Sequence, residues 1–252
     1  MSDFSHDQFA TSSNLLAAGA KIHRHRHTKH QIVYCSRGAV AVTTSRGTWI
    51  APQDRAVWIS AGTWHEHRFY GDTQFHGVAF DPAARDDARL DPSVVTVTPL
   101  LRELIIACSE PERLAEDEAD RLRVVLLDQL RHCPETPLSV AAPRDPRLAK
   151  AKEVVEASLA DPVNLDKLAA RIGVGERTLS RAIRAELGMS YPQWRTQIRL
   201  YHAAINLAQG SSVTETAVRC GWATPSAFID AYRQAFGLTP GSRPQRAAEA
   251  SE

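Results

Sequence analysis

Leu168-Ala169-Ala170-Arg171-Ile172-Gly173-Val174 returns later in the chain as Thr216-Ala217-Val218-Arg219-Cys220-Gly221-Trp222. Both copies read Ala-x-x-x-Gly followed by an apolar residue. A small alanine lets two helices approach, and the glycine supplies the positive-φ turn between them. An amphipathic segment follows each copy. One such phrase is a weak signal, but two in tandem with a helical stretch between them are specific. The pair predicts a helical C-terminal half with two helix-turn-helix motifs and a helix between them.

The segments after the turns sort by face. After the first turn, Leu179, Ala182 and Ile183 share one side, while Arg177, Arg181 and Arg184 share the other. An arginine stripe behind an apolar stripe is what a major-groove helix needs, because guanidinium groups bind guanine O6 and N7 or pair with phosphate. After the second turn, Phe228, Tyr232 and Phe236 form the buried side, with Ser226, Asp230 and Arg233 opposite and Pro225 at the first turn.

With these residues in place, the C-terminal part resembles the DNA-binding domain of the AraC/XylS family of bacterial transcription regulators. The resemblance rests on Leu168-Ala169, Gly173, Leu179-Ser180-Arg181, Gly188, Arg199-Leu200, Ala203, Leu207, Ala217, Gly221-Trp222 and the closing Phe228-x-x-x-Tyr232-Arg233-x-x-Phe236-Gly237-Leu238-Thr239-Pro240. It implies a domain over about 147–243 whose two motifs are joined by a long helix over about 191–209, with Trp194, Ile198, Tyr201 and Ile205 as its core stripe. It implies double-stranded promoter DNA as partner, and RNA polymerase if the protein is an activator. It also implies Arg177, Thr178, Ser180 and Arg181 as base-reading positions of the first motif, with Thr224, Ser226 and Ala227 near those of the second. Arg184 and Arg233 complete the expected DNA-binding set, Arg184 as a phosphate contact. The sequence departs from the family at Asp230, at Gly175 where a serine cap is usual, and at Gly241-Ser242-Arg243.

Working outward, four prolines (Pro134, Pro137, Pro143, Pro146) forbid a continuous helix and mark 134–146 as a linker. Before it the texture changes. Stretches such as Gln31–Cys35, Ala39–Thr44, Thr48–Ile50, Ala56–Ile59 and Phe75–Phe80 read as short strands between turn signals including Arg37-Gly38 and Gly71-Asp72, which suggests an antiparallel barrel or jelly roll. Two helical segments lie in about 100–132, and their apolar stripe (Leu122, Val125, Leu126, Leu130) suits either a dimer interface or a cover for the barrel. The expected fold class is therefore α+β in two domains. A cupin-like β-barrel or jelly roll with a helical hairpin occupies 1–133, the tandem helix-turn-helix domain 147–243, and a disordered tail 244–252. Gln31–Tyr34, Gly47–Pro52 and Arg55–His65 resemble the cupin-like sensor domain of one branch of the same family.

Seven of the ten histidines lie between His23 and His76. On a strand, His25 and His27 point to one side, as do His65 and His67. The cupin resemblance implies a metal site from a His-x-His pair and a later histidine, which fits His25, His27 and His65, while the usual acid position falls near His30 or Gln31. Three neutral imidazoles can hold zinc, nickel or iron with one position open. A metal-free pocket binding a small-molecule effector through His25, His27, His30, Gln31, His65 and His67 is the other reading of the same residues.

The bulk numbers exclude less than they suggest. Thirty Lys+Arg against twenty-nine Asp+Glu leave a net charge of +1, which hides net −3 in residues 1–142 and net +4 in 143–252. No apolar run approaches the roughly 20 residues of a membrane span, and the acidic N-terminus lacks the pattern of a secretory signal. Cys35, Cys108, Cys133 and Cys220 form no CxxC pair and fit reduced thiols in a cytoplasmic protein. The expected function is a one-component, homodimeric transcription regulator sensing an effector or metal. A metal-dependent cupin enzyme is the rival, against which stand the tandem motifs and the missing metal carboxylate.

Overall fold

The computed structural model describes residues 11–84, 92–133, 135–136 and 139–241. Its first half is one antiparallel sheet built around two long strands, β3 (His30–Thr44) and β6 (His65–Phe80), paired along their length. β1 (Ser12–Leu16) and β2 (Lys21–His25) pair with β6. β4 (Gly47–Ala51) and β5 (Arg55–Ile59) pair with β3, and β7 (Ser93–Thr96) extends the sheet from β5. The turn signal at Arg37-Gly38 is therefore not a turn. Gly38 (φ 76°) is a bulge inside β3, facing a second positive-φ glycine, Gly71 (φ 69°), in β6. At these bulges the sheet rolls over: Phe69 and Phe75 would stand roughly 20 Å apart on a straight strand, yet their ring centroids are 5.5 Å apart. The two turned halves enclose a core that includes Val33, Val42, Ile50, Val57, Phe69 and Phe75.

Helices α1 (Pro99–Ser109) and α2 (Glu116–His132) lie on the outer face of this sheet. Leu101, Ile105, Leu126 and Leu130 pack against Ile32, Tyr34, Trp58 and Phe80. Of the stripe on α2, Leu122, Leu126 and Leu130 thus cover the barrel, while Val125, with Val124, lies on the exposed side. His76 fastens the seam. Its Nδ1 lies 2.9 Å from Ser109 Oγ, whose hydroxyl donates to Ile106 O, and its Nε2 lies 2.9 Å from Ser36 Oγ. Burial pushes the His76 pKa down to about 4, which keeps the ring neutral at neutral pH.

The proline-rich stretch read as a linker is partly sheet. β8 (Glu135–Thr136) pairs with β7, and β9 (Ser139–Ala141) pairs with β4. Prolines bar a helix but not a three-residue strand between them. Val140 of β9 is buried, and its side chain belongs to the helical core beyond, with Leu148, Leu168 and Trp194. Six helices follow: α3 (Pro146–Ala157), α4 (Leu165–Ile172), α5 (Glu176–Leu187), α6 (Tyr191–Ala208), α7 (Val213–Arg219) and α8 (Pro225–Phe236). α6 has two buried faces, not one stripe. Trp194 and Ile198 face the first motif, while Leu200, Ala203, Ala204 and Leu207 join the core shared by the second motif and the barrel. Tyr201 and Ile205 are only half-buried. The expected tail, 244–252, lies outside the described residues.

Candidate functional site

The two repeated phrases fold into the same turn. Val174 N–H donates to Ala169 O and Gly173 N–H to Ala170 O; Trp222 N–H donates to Ala217 O and Gly221 N–H to Val218 O. Both glycines have φ 76°. Each is a Schellman ending, in which a left-handed glycine lets two later amides satisfy the last helix carbonyls. The surroundings differ. A Cβ on Gly173 would meet nothing within 4 Å, whereas one on Gly221 would lie 2.3 Å from Leu159 O.

α5 buries Leu179 and Ile183 and exposes Arg177, Arg181 and Arg184, while Thr178 and Ser180 are half-buried beside them. Among the described residues none of these three arginines has an ion-pair partner, so the stripe is available to an anion. Glu186 faces away from it and accepts from the backbone amides of Arg144 and Asp145, tying α5 to the start of α3. Gly175, at the N-cap, gives α5 no side-chain cap. α8 is capped by Thr224, whose Oγ1 accepts from Ala227 N at 3.1 Å, so this hydroxyl has a helix to hold. Thr224, Ser226, Ala227, Asp230 and Arg233 are exposed on one flank, while Phe228, Tyr232 and Phe236 are buried on the other.

The buried flank of α8 meets the barrel. Arg55, at the start of β5 and 1% exposed, donates through Nη2 to Phe236 O and through Nη1 to Asp54 O and Oδ2, each 2.8 Å away. Tyr232 stacks on Phe236 at 4.0 Å between ring centroids. In the sequence Arg55 only opens a stretch typical of the sensor domain; nothing there marks its contact with α8, because a lone arginine opening a strand reads as solvated.

Inside the barrel, His25, His27 and His65 converge. His25 is paired with His65 across β2 and β6, and ligand atoms of the three rings lie within 4.8 Å of one another. Each Nδ1 faces a backbone carbonyl: His23 O at 2.8 Å, Lys29 O at 2.6 Å and Thr63 O at 2.8 Å. A carbonyl only accepts, so each ring donates from Nδ1, and a metal would be taken through Nε2. Burial, reinforced by the neighbouring imidazoles, lowers the His65 pKa to about 3, and its Nε2 has no partner. His67 is buried beside them with both ring nitrogens unpartnered. Gln31 brings its amide to 3.2 Å from His27 Nε2. His30 does not join the cluster. It stacks on Trp58 at 5.3 Å, and its Nδ1 accepts from Ala61 N. Strand parity explains the split: Gln31 alternates with Val33 and Cys35 into the barrel, His30 with Ile32 and Tyr34 towards α1 and α2.

A β-barrel with an inward-facing cluster of donors, followed by two helix-turn-helix motifs, defines a DNA-binding regulator with its own sensor domain. Comparisons with known proteins agree. Residues 17–127 match the AraC-like ligand binding domain and residues 168–243 a helix-turn-helix domain. The HTH-type transcriptional regulator NimR of Escherichia coli is 30% identical over 224 residues, covering 86% of this chain and 80% of its own. The HTH-type transcriptional regulator GbdR of Pseudomonas aeruginosa is 33% identical over 143 residues, 55% of this chain and 36% of its own. A crystal structure of an AraC-type transcriptional regulator from Chromobacterium violaceum aligns over 42% of this chain and 96% of its own, at 28% identity and a TM-score of 0.38. The chain belongs to the AraC family of helix-turn-helix transcription regulators. It is a DNA-binding regulator with a ligand-binding domain, not an enzyme. Among the described residues no helix is long and apolar enough to cross a membrane, and all four cysteines are buried free thiols.

Proposed function

We propose that the protein is a homodimeric, metal-responsive regulator of promoter DNA acting in the cytoplasm. α5 reads bases through Arg177, Thr178, Ser180 and Arg181 and holds phosphate through Arg184. α8 makes a second, lighter contact through Ser226, Ala227 and Arg233, with Thr224 fixing its start. The sensor domain is taken as 1–133 and the DNA-binding domain as 147–243. The outer face of α2, with exposed Val124 and Val125, is the natural dimer contact, and RNA polymerase is the further partner if the protein activates.

The observation that carries the metal reading is the orientation of three imidazoles. Their Nδ1 protons are all spent on carbonyls, and a buried, unpartnered Nε2 on His65 faces the other two rings. Such a donor set fits zinc, nickel or ferrous iron with a fourth position open. His25, His27 and His65 would hold the ion, which would supply a Lewis-acidic point for an effector oxygen or nitrogen and would cross-tie β2 to β6.

Metal analysis of the purified chain should give about one ion per chain, lost in His25→Ala/His65→Ala. Stoichiometry near zero in both proteins refutes the metal reading. Footprinting should show two protected major-groove segments in each half-site, on one DNA face; a single protected segment per half-site refutes the role given to α8.

A further inference from the structure

The seam between barrel and DNA-binding domain is closed at one end and open at the other. At the closed end, Arg55 holds Phe236 O, and the space beside Gly38, Pro52 and Tyr232 amounts to about 40 Å³. At the open end, a cleft of about 590 Å³ lies between the barrel residues Ile50 and Ser139 and the facing sides of α6 and α8. Such a volume falls within the roughly 300–1,000 Å³ of small-molecule sites. The cleft is distinct from the histidine cluster, none of whose residues lines it.

Its walls have one chemical character. Ile50, Met189, Leu200 and Ala235 supply apolar surface, and Gln193, Gln197, Gln234, Thr196 and Tyr201 supply amides and hydroxyls. Among the described residues no charged side chain lines it. Gln193 already accepts from Ser190 N through Oε1 at 2.8 Å, which orients its amide. An ionised ligand would lose hydration here without gaining a counter-charge, so the lining selects against one. We infer that this cleft is a second effector site, for an uncharged, largely apolar, ring-sized organic molecule carrying a few hydrogen-bonding atoms at its edge.

This goes beyond the metal-responsive reading and does not rest on it. The walls come from both domains, so occupancy and the placement of α8 against the barrel are linked. A molecule bridging Ser139 to Ala235 binds only one spacing of the two.

The chain contains only two methionines, Met1 and Met189, and Met189 lines the cleft. Full-length protein labelled at the methionine methyls therefore reports on the site without any substitution. Titration with the neutral dye N-phenyl-1-naphthylamine should give saturable fluorescence and a Met189 methyl shift with the same midpoint, while Met1 stays in place. Thr196→Trp, which fills the cleft from α6, should weaken the dye at least about tenfold, while His25→Ala/His65→Ala should leave it unchanged. The absence of saturable fluorescence overturns the proposal. So does saturation with a stationary Met189 signal, or loss of dye binding in the histidine variant alone.

Discussion

The two helix-turn-helix motifs share a turn, bond for bond, and differ in nearly everything around it. The first presents three unpaired arginines and owns its core, in which Leu168, Leu179 and Ile183 pack with Trp194 and Val140. The second presents a single arginine and Asp230, and its core residues Phe228, Tyr232 and Phe236 are continuous with the barrel. Division of labour follows. In the proposed reading the first motif grips DNA with little dependence on the sensor, because its core is helical apart from Val140 of β9. The second holds less tightly but rests on the barrel, so a change in the barrel would reach DNA through it. Weak base contacts would then be no defect in a helix whose position is the signal.

The largest test of that contrast is Arg55→Ala. It leaves Phe236 O and Asp54 without their buried donor and should cost about 3–5 kcal/mol of stability in urea unfolding. Hydrogen exchange at α8 should rise more than at α5; equal changes in the two helices would erase the distinction. Acid should act in the same sense. The folded pKa of His76, about 4, lies below the 6.5 of a free imidazole, so the unfolded chain takes up a proton that the folded chain refuses. Stability is complete above pH 6.5 and falls between 6.5 and 4, by roughly 3 kcal/mol at the lower end. α8, resting on the barrel, should lose exchange protection over that window before α5 does. His65 and His67, also held below the free value by burial, add to the same fall, so His76→Gln should make the slope shallower without abolishing it, and an unchanged slope in that variant would assign it to the histidine cluster.

On DNA, Arg181→Ala should cost about 2 kcal/mol at a specific site and relax preference at one base. Arg184→Ala should instead weaken all sequences and lower the salt slope by about 1. Arg233→Ala should do less than either; a loss equal to that of Arg181→Ala would make the motifs equals. The smallest difference separates the turn glycines. Gly173→Ala should cost about 1 kcal/mol for its left-handed backbone, and Gly221→Ala about 1 kcal/mol more, because its methyl would strike Leu159 O. Equal losses would show that the second turn is free to move off α3.

The turns and the arginine stripe were legible because local chemistry specifies them: a left-handed glycine and a 3.6-residue period depend on nothing distant. The long strands were less so. Gly38 and Gly71 carry the same signal whether they reverse a chain or bulge it, and only the partner strand decides. The stripe on α2 named an apolar neighbour without saying which one, and the barrel claimed it. His30 and Gln31 could have been separated by parity alone, since His30 alternates with residues that face the helices. Arg55 and the interdomain cleft left no trace in the sequence, because both are made by residues from distant parts of the chain.

β9 divides its loyalties: its backbone completes the barrel sheet, while Val140 completes the core of the first motif. A truncation starting at residue 143, meant to release the DNA-binding half alone, would therefore damage both pieces. It would leave a hole beside Leu148 and Trp194 in one, and in the other a Val140 side chain stripped of its neighbours. Cutting before Ser139 spares the helical core but gives the barrel an open β4 edge, the kind of unpaired strand on which chains aggregate. The two halves share a residue neither can give up.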